Sequence, residues 1–185
     1  MANGTLKVEN IQTSSGSGTI TLGQSGETVT IPTGTTVSGA MSNTPAFFAY
    51  QSEGTGQSIP SQSWTKVQVE DEIFDTHNCY DNTTNYRFTP NIAGKYLLQA
   101  QANFNVAATF VYHLNIRKNG NELYSRTGVQ YISATNIGQH TSYLVEANGT
   151  ADYFEFYIFN NDSSARNLYP NSTYTWFCGH RIIGA

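Results

Sequence analysis

The residue types able to do chemistry fall into a few small groups. His77-x-Cys79 and Cys178-x-His180 read as metal half-sites, because imidazole and thiolate both bind Zn²⁺. A one-residue gap is atypical of structural zinc, and on a regular strand it puts both groups on one face, so a tetrahedral site needs the two pairs to converge. The acidic cluster Glu70-Asp71-Glu72 with Asp75 lacks the alternating oxygen-ligand spacing of a calcium loop and reads as a solvated turn. His113 and His140 stand in polar alternation and are expected to face water. Tyr131, Asn136, Asn161, Asp162, Arg166 and Tyr169 lie in or beside turns and carry planar, hydrogen-bonding side chains of the kind enriched in adaptable contact loops. No motif brings a nucleophile, a base and an orienting group together, so no catalytic residue, cofactor or metal is predicted. The chemistry on offer is recognition.

The elements that must position these residues are strands. Gly94 to Val106 alternates Tyr96, Leu98, Ala100, Ala102, Phe104 and Val106 against amides, which buries one face and wets the other. Phe110 to Arg117 repeats the pattern, and the Asn119-Gly120 pair then tolerates the positive φ of a tight hairpin, so Glu122 to Tyr131 is expected to pair back. Further strands read as Asn136 to Ala147, turned by Asn148-Gly149, then Tyr153 to Asn160 and Thr173 to Ile183. Tyr153 to Phe159 is apolar on both faces, which suits a strand with one side in a core and the other against a subunit. Tyr174 and Trp176 on the last strand read as facing a neighbouring copy. No segment has a convincing helical period, and many short strands separated by turn signals predict an all-β sandwich or barrel.

Residues 1–43 differ. They hold no aromatic residue and are rich in Gly, Ser and Thr, a composition that by itself suggests a flexible tether. The sparse aliphatics are nevertheless ordered: Ile20 and Leu22 alternate with Thr, GQSG turns the chain, and Val29 and Ile31 alternate with Thr again. Period-two alternation broken by Gly turns marks short strands. Ordering a residue costs about 1–2 kcal/mol of backbone entropy, so these few side chains require several copies wound together, with Val29 and Ile31 packing on their counterparts. The expected organisation is an arm over 1–43 and a domain over 44–185.

Only 12% of the 185 residues are charged, so neutral polar groups must supply solubility. The net charge of −4 supplies no basic stripe, which argues against a nucleic-acid partner. No apolar run approaches the roughly 20 residues of a membrane span, and the opening MANGTLKVENIQTSSG has no export signature, so no membrane insertion is expected. In a reducing compartment Cys79 and Cys178 are expected to be free or buried rather than bridged, and Asn3, Asn82, Asn148, Asn161 and Asn171 in Asn-x-Ser/Thr triplets read as turn residues.

The stretch FDTHNCYDNTTNYRFTPNIAGKY, Phe74 to Tyr96, resembles the signature of the globular head of complement component one subunit q, which shares its jelly roll with tumour necrosis factor. The matching positions are Phe74, Tyr80 and Asp81, Phe88 and Thr89, Gly94 and Tyr96; NTPAFFAYQS and STYTWFCGHRII resemble the family's first and last strands. The spacing from Phe74 to Asp81 is one residue longer than the family pattern and Tyr86 reads as an insertion, so fold carries over better than ligand. The resemblance implies a jelly-roll head packed in threes. The arm is similar to N-terminal segments of small fibre proteins of tailed phages, which implies a homotrimeric virion protein. In that reading the arm binds other virion proteins and the head meets a host cell-surface glycan or protein. Val29, Ile31, Tyr174 and Trp176 then lie at the trimer interface, and Tyr131, Asn136, Asn161, Asp162, Arg166 and Tyr169 at the receptor end. The alternatives are a secreted or cellular recognition lectin with the same head, a capsid head fibre or decoration protein without a receptor role, and an enzyme on a β scaffold.

Overall fold

A computed structural model describes residues 9, 11–13, 18–35, 43–105, 110–124, 127–131 and 138–183. The chain divides into two units, Met1–Val37 and Ser38–Ala185. In the first unit the described residues carry turns and extended backbone with no strand assigned among them. One turn is closed by Glu27 N–H donating to the Gln24 carbonyl at 3.0 Å, while the Glu27 carboxylate accepts from Gln24 N–H at 2.7 Å. Val29 and Ile31 are 58% and 45% exposed within a single chain.

The second unit is all-β. Its strands are β1 (Ala46–Tyr50), β2 (Ser58–Ile59), β3 (Ser63–Lys66), β4 (Asp71–Asp75), β5 (Tyr80–Asp81), β6 (Arg87–Phe88), β7 (Gly94–Asn103), β8 (Phe110–Lys118), β9 (Asn121–Glu122), β10 (Thr127–Tyr131), β11 (Gly138–Ala147), β12 (Phe154–Asn160), β13 (Arg166–Asn167) and β14 (Trp176–Arg181). One sheet runs β11-β7-β14-β1-β4; the other runs β10-β8-β12-β6-β5 with β3 on β12 and β9 on β8; β13 and β2 form a small third pair. Every ladder is antiparallel.

The two main sheets face each other through side chains that alternation sends inward. Phe47 of β1 is 1% exposed and stacks on Tyr80 at 4.9 Å and Phe88 at 4.4 Å across the layers, with Phe177 edge-on at 5.0 Å. Tyr96, Leu98, Ala100 and Ala102 of β7 are fully buried, as the period-two reading requires. At the hairpin, Asn119 and Gly120 both take positive φ, 53° and 79°, and both β9 and β10 pair back on β8.

Several expectations shift. β7 stops at Asn103 because the chain then leaves the sheet. Asn105 N–H donates to the Asn167 carbonyl at 2.9 Å, Tyr169 N–H donates to that of Asn103 at 2.7 Å, and Phe104 bridges Leu168. The last strand begins at Trp176 because Tyr174 and Thr175 N–H both turn back to the Asn171 carbonyl. Asp71, Glu72 and Asp75 occupy the edge strand β4 rather than a turn, where their charges guard an open ladder. The outer row of β12 is partly packed within its own chain, with Tyr157 and Phe159 half-buried: Arg117 lies 4.1 Å over Tyr157, Trp64 packs on Phe159 at 5.5 Å and Lys66 pairs with Glu155 at 3.0 Å. His113 is not free in water, since its ring packs 6.0 Å from Phe159.

Candidate functional site: the loop-bearing end of the sandwich

Strand direction sorts the turns to two ends. Phe154 pairs with Lys118 while Asn160 pairs with Tyr112, and Ala147 pairs with Gly94 while Gly138 pairs with Asn103. The 118–121 hairpin and the 148–152 turn therefore meet at one end, tied by Asn119 Nδ2 donating to Asp152 at 2.9 Å and Lys118 pairing with Asp152 at 2.8 Å. Arg181 N–H donates to the Pro45 carbonyl at 3.1 Å, so the chain enters the sandwich at that same end. Asn105, Tyr131 and 161–171 lie at the other end: Tyr131 pairs with Phe110, and Asn161 N–H donates to the Val111 carbonyl at 3.0 Å.

The 161–171 segment is held from within. Buried Asn160 donates to the carbonyls of Ile59 and Ser164 and accepts from Asp162 N–H. Arg166 Nε donates to Asp162 Oδ2 at 2.6 Å, and the Asp162 carboxylate also accepts from Ser163 and Ser164. The Arg166 hydrogen bond, ahead of the cost of partial desolvation, holds the Asp162 carboxyl below its ordinary value. The Tyr169 ring packs at a tilt of 52° against Tyr174, centroids 4.3 Å apart. Of the expected contact residues, Asn161, Asp162, Arg166 and Tyr169 are thus brought together, Tyr131 is placed at the same end by its register, and Asn136 lies outside the described residues.

The 51–59 loop leans on this segment. Leu168 N–H donates to the Gln57 carbonyl and Asn171 N–H to that of Gln51, and β13 pairs with β2. Gly56 has φ +74°, and a Cβ there would run into the Leu168 carbonyl oxygen. Behind the loop is a cavity of about 260 Å³ whose lining includes Gln51, Ser52, Glu53, Gln57, Gln68 and Glu70. Gln51 is 2% exposed, and its Oε1, like Oε2 of Glu70, is buried without a hydrogen-bond partner among the described residues. Burial pushes the Glu70 carboxyl above its ordinary value and Asp71 adds to the rise, against hydrogen bonds from Glu70 N–H and from Ser52. The sequence shows this site only as an acidic cluster; Gln51, some twenty residues before Glu70 in the chain, is brought beside it by β1 pairing with β4.

Trp176, in contrast, stands on the outer face of the β11-β7-β14-β1-β4 sheet, with Phe48 at 5.6 Å and His140 at 5.7 Å. Tyr174 precedes the strand and belongs to the loop-bearing end. His77, Cys79, Cys178 and His180 do not converge: Cys79 is buried, Cys178 faces outward on β14, and both are free thiols. Among the described residues no group of three or more His, Cys, Asp or Glu side chains is arranged to hold a metal, and no helix is long and apolar enough to cross a membrane.

No protein-family model and no curated protein matches the chain. Solved structures do. PRD1 vertex protein P5 superposes with a TM-score of 0.60 at 18% identity, covering 76% of this chain and 99% of that one. The head has a jelly-roll fold like those of tumour necrosis factor and the complement globular domain. Eiger, the tumour necrosis factor of S. frugiperda, matches with a TM-score of 0.55 at 9% identity over 76% of this chain and 93% of its own. The globular domain of zebrafish complement 1qA gives 0.51 at 16% identity over 75% and 96%. At these identities the jelly-roll head is similar to its neighbours in fold. Within the Phe74 to Tyr96 stretch, Tyr80, Phe88 and Tyr96 line the core, whereas Phe74 is 46% exposed on β4.

Proposed function

We propose that the protein is a non-enzymatic virion component, a trimeric fibre or spike whose head contacts the host surface through its 161–171 end. The observation that carries this reading is the polarity of the head. The chain enters beside the 118–121 and 148–152 turns, and the pre-ordered loop bearing Asn161, Asp162, Arg166 and Tyr169 stands at the opposite end. A vertex protein, PRD1 P5, has a head of the same fold, which supports a virion location. Trimerisation draws support from the outer face of the β11-β7-β14-β1-β4 sheet, where Phe48 and Trp176 stack and Leu144 is 62% exposed, apolar groups set among polar ones that identical copies would cover. In the same trimer the arms over 1–43 wind together, bury Val29 and Ile31, and anchor to other virion proteins.

The experiment changes Arg166 and Tyr169 together to Ala and measures adsorption of purified protein to host cells, with the 118–121 hairpin altered as the control. Native mass spectrometry of the same samples should find a species of about three times the 20.3 kDa chain. Lost adsorption in the double variant with an unaffected control is the expected result. The converse pattern overturns the orientation, and a monomer at micromolar concentration overturns the trimer.

A further inference from the structure

The cavity behind the 51–59 loop is lined on its charged side by carboxylates alone. Glu53 and Glu70 contribute them, no Lys, Arg or His lines the space, and the nearby cations are engaged elsewhere, Lys66 with Glu155 and Arg166 with Asp162. Its two buried polar atoms without partners among the described residues, Gln51 Oε1 and Glu70 Oε2, are both acceptors. A buried acceptor left unmade costs free energy, so the site is poised for a ligand that donates. None of the lining residues is aromatic, which leaves a sugar ring no wall to stack on. At about 260 Å³ the cavity is near the small end of ligand pockets and far larger than one bare ion.

We propose that this cavity takes the cationic head of an arginine or lysine side chain from a protein on the surface the head contacts. A guanidinium presents several N–H donors in a rigid fork, so one group can reach an amide oxygen and a carboxylate together. Both oxygens are shielded from solvent in the free head, so the Gln51 amide and the Glu70 carboxylate turn toward the space to supply the first and the second, with Glu53 at the exposed rim adding charge without a fixed bond. The proposal rests on the reading of the 161–171 end as the contact end, because the 51–59 loop and that segment are hydrogen-bonded into one surface.

The test titrates the full-length protein with N-acetyl-arginine amide and N-acetyl-lysine amide, followed by amide chemical shifts. The arms of comparison are N-acetyl-citrulline amide, which keeps the shape and loses the charge, glucosamine as an amino sugar, and Ca²⁺ alone. Shifts confined to residues 51–57 and 68–70 are expected, with citrulline binding at least about tenfold more weakly because a charge-assisted hydrogen bond is lost. Glu70→Gln should weaken the arginine probe by about tenfold and Gln51→Met by a few-fold, and thermal unfolding of each variant shows that the head is intact. Equal binding of citrulline and arginine in the unaltered protein overturns the proposal without any variant. So does tighter binding of Ca²⁺ or glucosamine to the same amides. If the probes bind as expected but Glu70→Gln adsorbs to cells like the unaltered protein, the protein partner is refuted. If they fail to bind while Arg166 and Tyr169 remain essential for adsorption, this inference falls and the contact end stands.

Discussion

Replacing Phe47 with Ala tests whether the two sheets are joined as the jelly-roll head requires. Phe47 is 1% exposed and touches Tyr80 and Phe88 of the opposite sheet and Phe177 of its own. Truncating a buried Phe costs about 3–5 kcal/mol through lost transfer energy and the cavity left behind. Three lost ring contacts put this site at the upper half of that range, about 4–5 kcal/mol. With a urea slope of about 2 kcal/mol/M the midpoint should fall by roughly 2 M. Phe74→Ala is the comparison, since Phe74 occupies the signature position in the sequence but is 46% exposed on the edge strand. Its loss within one chain should be about 1 kcal/mol or less. Urea unfolding followed by tryptophan fluorescence at several protein concentrations separates the two kinds of loss, because a subunit contact contributes in a concentration-dependent way and a core contact does not. A concentration-independent loss at Phe74 as large as that at Phe47 would refute the packing described.

Two further outcomes follow from titratable groups. The backbone N–H of Thr84, followed by Asn85 and Thr83, holds the Asp81 carboxyl down to about 2, so its stabilising effect is present above the unfolded value near pH 4 and disappears as pH falls through about 2. The stability gap between unaltered protein and Asp81→Ala should therefore close over that window; a gap that persists at pH 2 counts against the turn. Burial pushes the Cys178 thiol up to about 11, which leaves about a thousandth of it as thiolate at pH 8. A disulfide-exchange reagent should label Cys178 slowly in folded protein and fast in urea, and rapid labelling without urea would contradict the packing of β14.

Where a side chain's role is set by its near neighbours in the chain, the sequence by itself determined the outcome. The alternation of β7 predicts its buried face because side chains on a strand alternate by geometry alone, and Asn119-Gly120 predicts the hairpin because positive φ is a local demand. The sorting of turns to two ends also follows from order along the chain once the strands are antiparallel. Pairing across long separations was decided only by the tertiary structure. Glu70 looks like one more solvated acid until β1 and β4 pair and bring Gln51 beside it. Tyr153 to Phe159 does not show in the sequence that Trp64 and Arg117 will pack against its outer row. Phe47, unremarkable in AFFAY, becomes the hinge of the core because both sheets converge on it. Burial and partnership depend on which surfaces meet, and a one-dimensional pattern specifies the faces of each strand without specifying what will lie against them.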